Sequence, residues 1–285
     1  MIIDYFISIS TFILIYIILV LAFDLAFGFT GLVNLGHTAF FGFGAYASAL
    51  LTIHGIAWYF ALPLAGVIAG VLGAIIASIT VRLKGDYFQI SAIGLAFIAI
   101  AVSRNWVSLT RGALGLPGVP KIIQNNFQYM LFVLLITAIS IIFFYWLAKS
   151  ETGKIFQAIR DDETAAQILG KNTYFYKILS ITISTFFAGI AGSLFVHYIN
   201  FVDPTIFDLE FFVLILSMLI IGGLASITGS IVGAAAVGGL TAFMSFLFTN
   251  ASPELIGALR QMLFLAILIA VMIYRPKGIF GKVDV

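Results

Sequence analysis

Long apolar runs, separated by short polar breaks, make up most of this chain of 285 residues. A helix needs roughly 20 consecutive apolar residues to cross a bilayer core about 30 Å thick. Nine runs are interpreted as such spans: residues 5–27, 31–53, 58–81, 87–103, 127–147, 178–198, 211–224, 231–248 and 259–274. The pattern predicts an all-α fold, a polytopic integral membrane bundle of about eight to ten transmembrane helices. We expect a single transmembrane domain over residues 1–285.

Composition excludes several classes of protein. The chain is 62% hydrophobic and only 9% charged, whereas ordinary soluble domains carry about 25% charged residues. It contains no cysteine, so disulfides, thiolate metal sites and cysteine nucleophiles are excluded. A net charge of +2 is too small to indicate nucleic-acid binding. The first run lacks the basic start and cleavage site of a signal peptide, so we interpret it as a retained helix.

Lysines and arginines indicate the orientation of the spans. They concentrate at 82–84, 149–177 and 275–282, and cytoplasmic loops carry an excess of these residues. With nine spans these three segments lie on one side, so the C-terminus and the 149–177 loop are predicted to be cytoplasmic and the N-terminus outside. If the run from Gly31 to Ile53 is re-entrant or split, the N-terminus is instead inside. The loop after Arg104 breaks the charge pattern, because it places basic residues on the outer side.

The segment 149–177 holds nine of the 26 charged residues. A helix is predicted within it, capped by Ser150 or Thr152 and stopped by Gly170. Its apolar positions recur at three- and four-residue steps and form one stripe: Ile155, Phe156, Ile159, Ala166 and Leu169. The segment has four acids against five bases, and this mixed charge favours docking into a protein groove over lying on the membrane surface. A solvated connector without a partner remains the alternative.

Two glycine-dense segments, 31–51 and 222–240, lie in opposite halves of the chain. Small residues about four apart allow membrane helices to approach closely. Interrupted segments in two halves are also typical of transporters, where they line a path near the midplane. Close packing and a substrate path are both left open by the sequence. The candidate path residues are Asn34, Gly36, His37, Gly42, Gly44, Gly222, Gly223 and Gly229.

Motifs for chemistry are missing from the sequence. Gly153-Lys154 and Gly170-Lys171 are not followed by the serine or threonine of a phosphate-binding loop, so the chain cannot hold ATP in a loop of its own. The three histidines have no metal-ligand spacing, and no catalytic set is recognisable. We therefore predict that the chain is not an enzyme and binds no metal and no cofactor. Few ionisable residues lie within the spans, which argues against ion coupling and for an external energy source.

Several sequence blocks resemble one known family. The charged segment reads Ser150-x-x-Gly153, then Ala158-Ile159-Arg160-Asp161-Asp162-Glu163-x-Ala165-Ala166 and Leu169-Gly170. This pattern is similar to the cytoplasmic loop of branched-chain amino acid ABC transporter permeases, most closely those of the LivM type. The blocks GLVNLGHTAFFGFGAYASALL, KGDYFQISAIGLAF, GALGLPGVP, FFAGIAGSLFVHY, LIIGGLASITGSIVGAA and YRPKGIFG follow in family order. The resemblance covers nearly the whole chain.

The resemblance implies a subunit that moves branched-chain amino acids across the inner membrane. It implies a second permease subunit of the LivH type, two ATP-binding subunits that hold ATP and Mg, an extracytoplasmic substrate-binding protein, surrounding membrane lipid and no nucleic acid. The 149–177 loop would then couple nucleotide-driven closure to the membrane helices. Carried over by position, that role falls on Gly153, Ala158, Ile159, Arg160, Asp162, Glu163, Ala165, Ala166 and Gly170.

Other cargoes and another transporter class remain as alternatives. The same importer class also carries urea, short amides or a sugar, and the span IGLAFIAIAVSRNW lacks an acid that some relatives have. An ion-coupled secondary transporter or channel is the alternative from a different class. Whether the two permeases form a heterodimer or a homodimer is also left open. The outer loop at 111–120 is either a docking surface for the binding protein or ordinary turn chemistry.

Overall fold

The structure, a computed structural model, describes residues 2–83, 85–247, 253–275 and 277–281. These residues form twelve α-helices and one two-stranded antiparallel ladder. The helices are α1 (Ile2–Asp24), α2 (His37–Ile53), α3 (Trp58–Thr80), α4 (Asp86–Asn105), α5 (Val107–Thr110), α6 (Asn126–Lys149), α7 (Glu151–Asp161), α8 (Glu163–Ile168), α9 (Thr173–Ile199), α10 (Leu209–Gly222), α11 (Ile227–Leu247) and α12 (Pro253–Tyr274). The strands are β1 (Leu116–Pro117) and β2 (Phe201–Val202). The basic residues Lys84 and Lys282 and the predicted end of the eighth run at 248 lie outside the described residues.

Membrane-spanning helices form most of the bundle, which confirms the all-α polytopic fold. Among the residues that the structure describes, five helical segments are long and apolar enough to cross a bilayer: Ile3–Phe29, Trp58–Thr80, Asp86–Asn105, Asn126–Lys149 and Thr173–Ile199. Among the helices that follow α9, α10 is short, whereas α11 has 21 residues and α12 has 22. Helix α10 has 14 residues, which corresponds to about 21 Å against a core of about 30 Å. The apolar run at 211–224 therefore does not form a full span by itself.

The second apolar run is only partly helical, unlike its prediction. Residues 31–36 form no helix, and α2 begins at His37. The amides of Gly31 and Leu32 bond instead to the carbonyls of Phe27 and Ala26, at 3.0 and 2.8 Å. Gly31 has a φ of +76°, in the region that glycine adopts without strain. The run is therefore split into six non-helical residues and a helix of 17 residues.

The charged segment forms two helices, where the sequence predicts one. Ser150 caps α7 by accepting a hydrogen bond from the Gly153 amide at 3.2 Å. The chain breaks at Asp162, whose backbone is extended and whose carboxylate accepts from the Ala165 amide at 3.0 Å, capping α8. Aspartate is a preferred cap, and the run of four charges at 160–163 contains this break. Gly170 follows α8 with a φ of +76°, as expected for a helix stop.

Helix α9 lies at the centre of the bundle, between α2 and α3. Glycines allow the three helices to pack backbone to backbone. A Cβ atom on Gly44 would lie 2.3 Å from the Cα of Gly189, and one on Gly192 would lie 2.0 Å from the carbonyl oxygen of Phe41. The glycine-dense segment at 31–51 thus serves as a packing surface for α9, one of the two roles that the sequence left open.

The two ends of the bundle carry different segments. At one end, Arg160 donates to the carbonyl of Gly28 at 2.9 Å, and the Arg82 guanidinium lies 5.2 Å from the ring centre of Tyr174. We call this end the α7 face. At the other end, β1 pairs with β2, and Tyr198 donates to Ser8 near the start of α1. We call this end the β face. The basic segments near 82 and at 149–177 therefore share one face, and α1 begins at the opposite one.

A buried polar chain ties the loop at 106–125 to the β face of the bundle. The Nδ1 atom of His197 lies 2.9 Å from the carbonyl oxygen of Pro120. A carbonyl only accepts, so Nδ1 carries the proton and Nε2 accepts from Ser48, 2.9 Å away. Ser193 then donates to Ser48 at 2.7 Å. The network joins α2, α9 and the loop, and each of the three side chains is buried.

Replacing His197 with leucine is expected to destabilise the protein by about 1–3 kcal/mol. The buried Ser48 hydroxyl would lose its hydrogen-bond acceptor, and the Pro120 carbonyl would lose its donor. The measurement is the free energy of unfolding of the purified protein in detergent. His54 supplies a matched control, since it is exposed and its Nδ1 contacts only the Leu50 carbonyl of its own helix. His54→Leu is expected to change stability by less than about 0.5 kcal/mol. Equal effects of the two variants would contradict a stabilising role for the network.

Candidate functional site

Helices α7 and α8 lie across the α7 face with one side against the membrane helices. Phe156, Ile159 and Ala166 are buried there, and the ring of Phe156 meets Tyr176 edge-on with 6.3 Å between centres. The stripe predicted from the helical spacing is therefore the side that packs on the bundle, apart from Leu169. Gly153 is also buried. A larger residue would not fit there, because a Cβ atom would lie 2.2 Å from the carbonyl oxygen of Leu147.

The nine residues predicted to couple to an ATPase divide between two sides of this element. Gly153, Ile159 and Ala166 are buried against the bundle. The outward set is exposed and consists of Ala158, Asp162, Ala165 and Gly170. Arg160 and Glu163 are partly buried between the two sets. The geometry thus separates residues that anchor the element to the bundle from residues that are exposed on its outer side.

Two large apolar side chains on the outward side are absent from the predicted set. Ile168 is 82% exposed and Leu169 is 76% exposed, next to Ala165 on the same turn. The sequence places Leu169 on one apolar stripe with Phe156 and Ile159, but in the structure those two are buried and Leu169, which follows α8, is exposed. Contiguous exposed apolar side chains at a water-facing surface are typical of a protein contact site. We call Ala165, Ile168 and Leu169 the apolar edge.

The charged residues of α7 and α8 form hydrogen bonds and ion pairs mainly with other residues of this chain. The Arg160 guanidinium donates to Asp161 from Nε and Nη2, at 2.9 and 2.8 Å, and its Nη1 donates to the Gly28 carbonyl. Lys177 donates to Glu163 at 2.5 Å. Both cations are largely shielded, with 16% and 13% of their side chains exposed. These contacts fix α7 to the end of α1 and α8 to the start of α9.

A cavity of about 590 Å³ opens beside the element on the α7 face. It lies between residues 30–33, the connection from α3 to α4, and the helices α7 to α9. Its polar lining includes Arg82, Gln89, Arg160, Glu163 and Lys177. Movement of α7 and α8 would change the size of this cavity, because both helices form part of its wall.

The predicted path residues form two separate groups in the structure. Asn34, Gly36 and His37 precede or begin α2, where a Cβ on Gly36 would lie 2.3 Å from the Ala92 carbonyl oxygen. Gly42 packs on the ring of Phe207 and Gly44 on Gly189. The other group, Gly222, Gly223 and Gly229, lies where α10 turns into α11 and where Gly223 also approaches Gly281. The glycines are therefore placed at close helix contacts, and a role in a substrate path stays a prediction.

Asp24 is a buried acid within the first membrane-spanning segment. Its side chain is fully buried and accepts from the amides of Ala225 and Ser226, at 2.9 and 3.2 Å. The Ser230 hydroxyl donates to it at 3.1 Å. Asp24 is therefore hydrogen-bonded within the bundle. Its hydrogen-bond partners lie about 200 residues away in sequence, so no local sequence pattern could have identified them.

Fold and site together define a polytopic all-α membrane protein with an anchored, outward-facing helical element on one side. Comparison with known families gives a more specific assignment. The profile of the family described as branched-chain amino acid transport system / permease component matches residues 5–272. The chain therefore belongs to this family of permease components, which confirms the resemblance to the LivM type.

Individual relatives agree with that assignment. The chain is 28% identical to the high-affinity branched-chain amino acid transport system permease protein LivM of Salmonella typhimurium, over 96% of this chain and 69% of the relative. It is 25% identical to the corresponding permease protein LivH of Escherichia coli, over 95% of this chain and 92% of the relative. The solved structure of PsaBC from Streptococcus pneumoniae in complex with Fab shares the fold, with a TM-score of 0.52 and 17% identity over 95% of this chain and 91% of that one.

Proposed function

We propose that this chain is the membrane-spanning permease subunit of an ABC importer that carries branched-chain, hydrophobic amino acids. The observation that carries the proposal is the apolar edge of Ala165, Ile168 and Leu169, exposed on an element that is otherwise anchored to the bundle. Membership of the permease family supports it. The full sequence has no phosphate-binding loop of its own, so ATP hydrolysis is assigned to other chains.

The proposed assembly contains four further subunits. They are a second permease of the LivH type, two ATP-binding subunits that hold ATP and Mg, and an extracytoplasmic binding protein that delivers the amino acid. Relatives named LivM and LivH are both permease proteins of branched-chain amino acid transport systems, which supports a pair of permeases. The α7 face is assigned to the cytoplasm, since the basic segments share it, and the N-terminus to the outside of the inner membrane.

In this proposal α7 and α8 act as the coupling element. Closure of the ATP-binding subunits displaces the apolar edge, and the buried side chains Phe156 and Ile159 transmit the displacement because they are packed into the bundle. The helices then shift between outward-open and inward-open arrangements. The chain performs no covalent chemistry, since ATP binding only changes the populations of two conformations.

The test is uptake by the complete importer. The chain would be co-expressed with the permease, ATP-binding and binding-protein genes that neighbour its own, and the complex reconstituted in liposomes. Labelled leucine, isoleucine and valine are expected to accumulate only with ATP and the binding protein. Urea, a short amide and a pentose, offered in the same assay, are expected to remain outside.

Each alternative gives a different result in this assay. ATP-dependent uptake of urea, amide or sugar alone would retain the importer and overturn the cargo. Uptake by the chain alone, driven by an ion gradient and indifferent to ATP, would overturn the importer and support a secondary transporter.

A further inference from the structure

We propose that Asp24 is a positioning residue that transfers movement of the coupling element to the C-terminal half of the chain. The inference rests on the proposed function, since it assumes that α7 is moved by ATP-binding subunits. It assigns a role to Asp24, which is not part of the apolar edge. The joint consists of Asp24, Gly28, Arg160 and the turn at 225–226.

The first part of the joint is a break in α1. The helix is regular as far as Asp24, and Leu25–Phe29 form a π-helical turn. Such turns occur frequently at functional sites and bend helices. Side chains from other elements donate hydrogen bonds to backbone carbonyls near the break. Ser184 donates to the carbonyl of Ala22 at 2.6 Å, and Arg160 donates to that of Gly28 at 2.9 Å. The end of α1 is thus held by polar contacts from α9 and from the coupling element.

The second part is the contact between Asp24 and the start of α11. The Asp24 side chain meets the backbone amides of Ala225 and Ser226 and the Ser230 hydroxyl, all at or before the first turn of α11. A helix N-terminus favours a negative group, because its amides and dipole point toward it. Ala225 has a φ of +55°, unusual for a residue with a side chain, and its amide donates to Asp24. Asp24 therefore fixes both the position and the conformation of this turn.

Gly28 brings the two parts together. A Cβ atom at this position would lie 2.0 Å from Oδ1 of Asp24 and 2.4 Å from the amide nitrogen of Ala225. Only glycine allows the end of α1 and the α10–α11 turn to lie this close. Since the carbonyl of Gly28 accepts from Arg160, the coupling element and the α10–α11 turn both contact the short segment at residues 24–28.

A mechanical role follows from the kind and order of these contacts. Apolar helix surfaces can slide along one another, whereas hydrogen bonds of fixed length and direction resist such sliding. Arg160 on α7 bonds to the carbonyl of Gly28, Gly28 lies directly against Asp24, and Asp24 bonds to residues 225–230. The C-terminal segment extends the connection, because the Phe280 amide donates to the carbonyl of Gly222 at 2.9 Å. An acid within a membrane-spanning helix is costly to keep, which favours a functional role.

The decisive experiment measures cargo moved per ATP hydrolysed by the complete importer in liposomes. Asp24→Asn keeps the size of the side chain but turns one acceptor into a donor, which cannot bond to the Ser226 amide. We expect the subunits to assemble and ATP to be hydrolysed, while cargo moved per ATP falls about tenfold or more, the factor that hydrogen bonds to charged groups are worth. Ser230→Ala removes one donor and is expected to lower the ratio about threefold.

The matched control is Ser193→Ala, which removes a buried hydroxyl from the polar chain on the β face. It is expected to lower the melting temperature without changing cargo moved per ATP. A purely structural role for Asp24 predicts that Asp24→Asn behaves like this control. An unchanged ratio in both Asp24→Asn and Ser230→Ala would overturn the inference. Failure of the proposed function is a different result, since the unmodified importer would then show no ATP-dependent uptake.

A distance measurement tests the joint directly. The chain has no cysteine, so spin labels can be placed at two introduced cysteines, Lys154→Cys on α7 and Thr228→Cys on α11, both at exposed positions. A rigid joint predicts that the distance between the labels stays the same with and without ATP. In Ser230→Ala, and in Asp24→Asn if it folds, the distance distribution is expected to broaden. A distance that changes with nucleotide in the otherwise unmodified chain would overturn the joint.

Discussion

Replacing Ile168 and Leu169 together by aspartate is expected to abolish both co-purification of the ATP-binding subunits and ATP-driven uptake. The two side chains are 82% and 76% exposed in the isolated chain, so a partner that covers them gains roughly 1.5–3 kcal/mol for each. Carboxylates at the same positions would have to be buried without a partner charge, at a cost of several kcal/mol more. A loss of about 5 kcal/mol lowers affinity by more than about a thousandfold.

The measurement is the amount of ATP-binding subunit that co-purifies with the tagged chain, followed by uptake in liposomes. The chain offers a matched control at the β face, where Val107 is 67% exposed and Leu114 is 76% exposed. Val107→Asp with Leu114→Asp makes the same change in charge and hydrophobicity and is expected to leave co-purification of the ATP-binding subunits intact. Normal co-purification of the Ile168 and Leu169 variant would show that the apolar edge is not the docking site.

The coupling element combines two requirements that pull in different directions. It must be anchored firmly enough to transmit force, and it must expose enough apolar surface for the ATP-binding subunits to bind. Phe156 and Ile159 satisfy the first requirement, since both are buried, and Ile168 and Leu169 satisfy the second, since both are exposed at the end of α8.

Features that depend on local sequence were predicted well. The edges of α3 and α6 fall within two residues of the predicted runs, because apolar length against a bilayer is a strong and local signal. The cap at Ser150 and the stop at Gly170 were also predicted correctly, since their side chain and backbone chemistry act on neighbouring residues. The grouping of basic segments on one face followed from helix alternation alone.

Features that depend on distant partners were not predictable in the same way. Residues 31–36 are mostly apolar, yet the amides of the first two bond to carbonyls at the end of the first spanning segment, which hydropathy does not record. The partners of Asp24 lie at 225–230, and no local pattern connects them. The glycine spacing correctly indicated that helices approach one another closely, but it did not identify the neighbouring helix. A packing role and a substrate-path role could therefore not be distinguished from the sequence. The contact between Gly44 and Gly189 needed the folded chain to be seen.

Replacing Gly44 by leucine is expected to prevent stable folding of the bundle. A Cβ atom at this position would lie 2.3 Å from the Cα of Gly189 and 2.4 Å from its carbonyl oxygen. Those atoms belong to the backbone of the central helix α9, so no side-chain rotation can relieve the clash. We expect a destabilisation of about 3 kcal/mol or more, the upper end for overpacked cores. The measurements are the yield of the protein in the membrane fraction and its monodispersity after extraction.

Gly94 provides the control, because it also lies in a helix but a Cβ atom on it would meet no neighbouring atom within 4 Å. Gly94→Leu is expected to give normal yield and a monodisperse protein. The pair of variants also decides between the two roles that the sequence left open for the glycine-dense segment. A packing role predicts loss of yield for Gly44→Leu, whereas a path role alone predicts normal yield with blocked uptake. Because backbone atoms of α9 occupy the space that the leucine would need, we expect the first outcome.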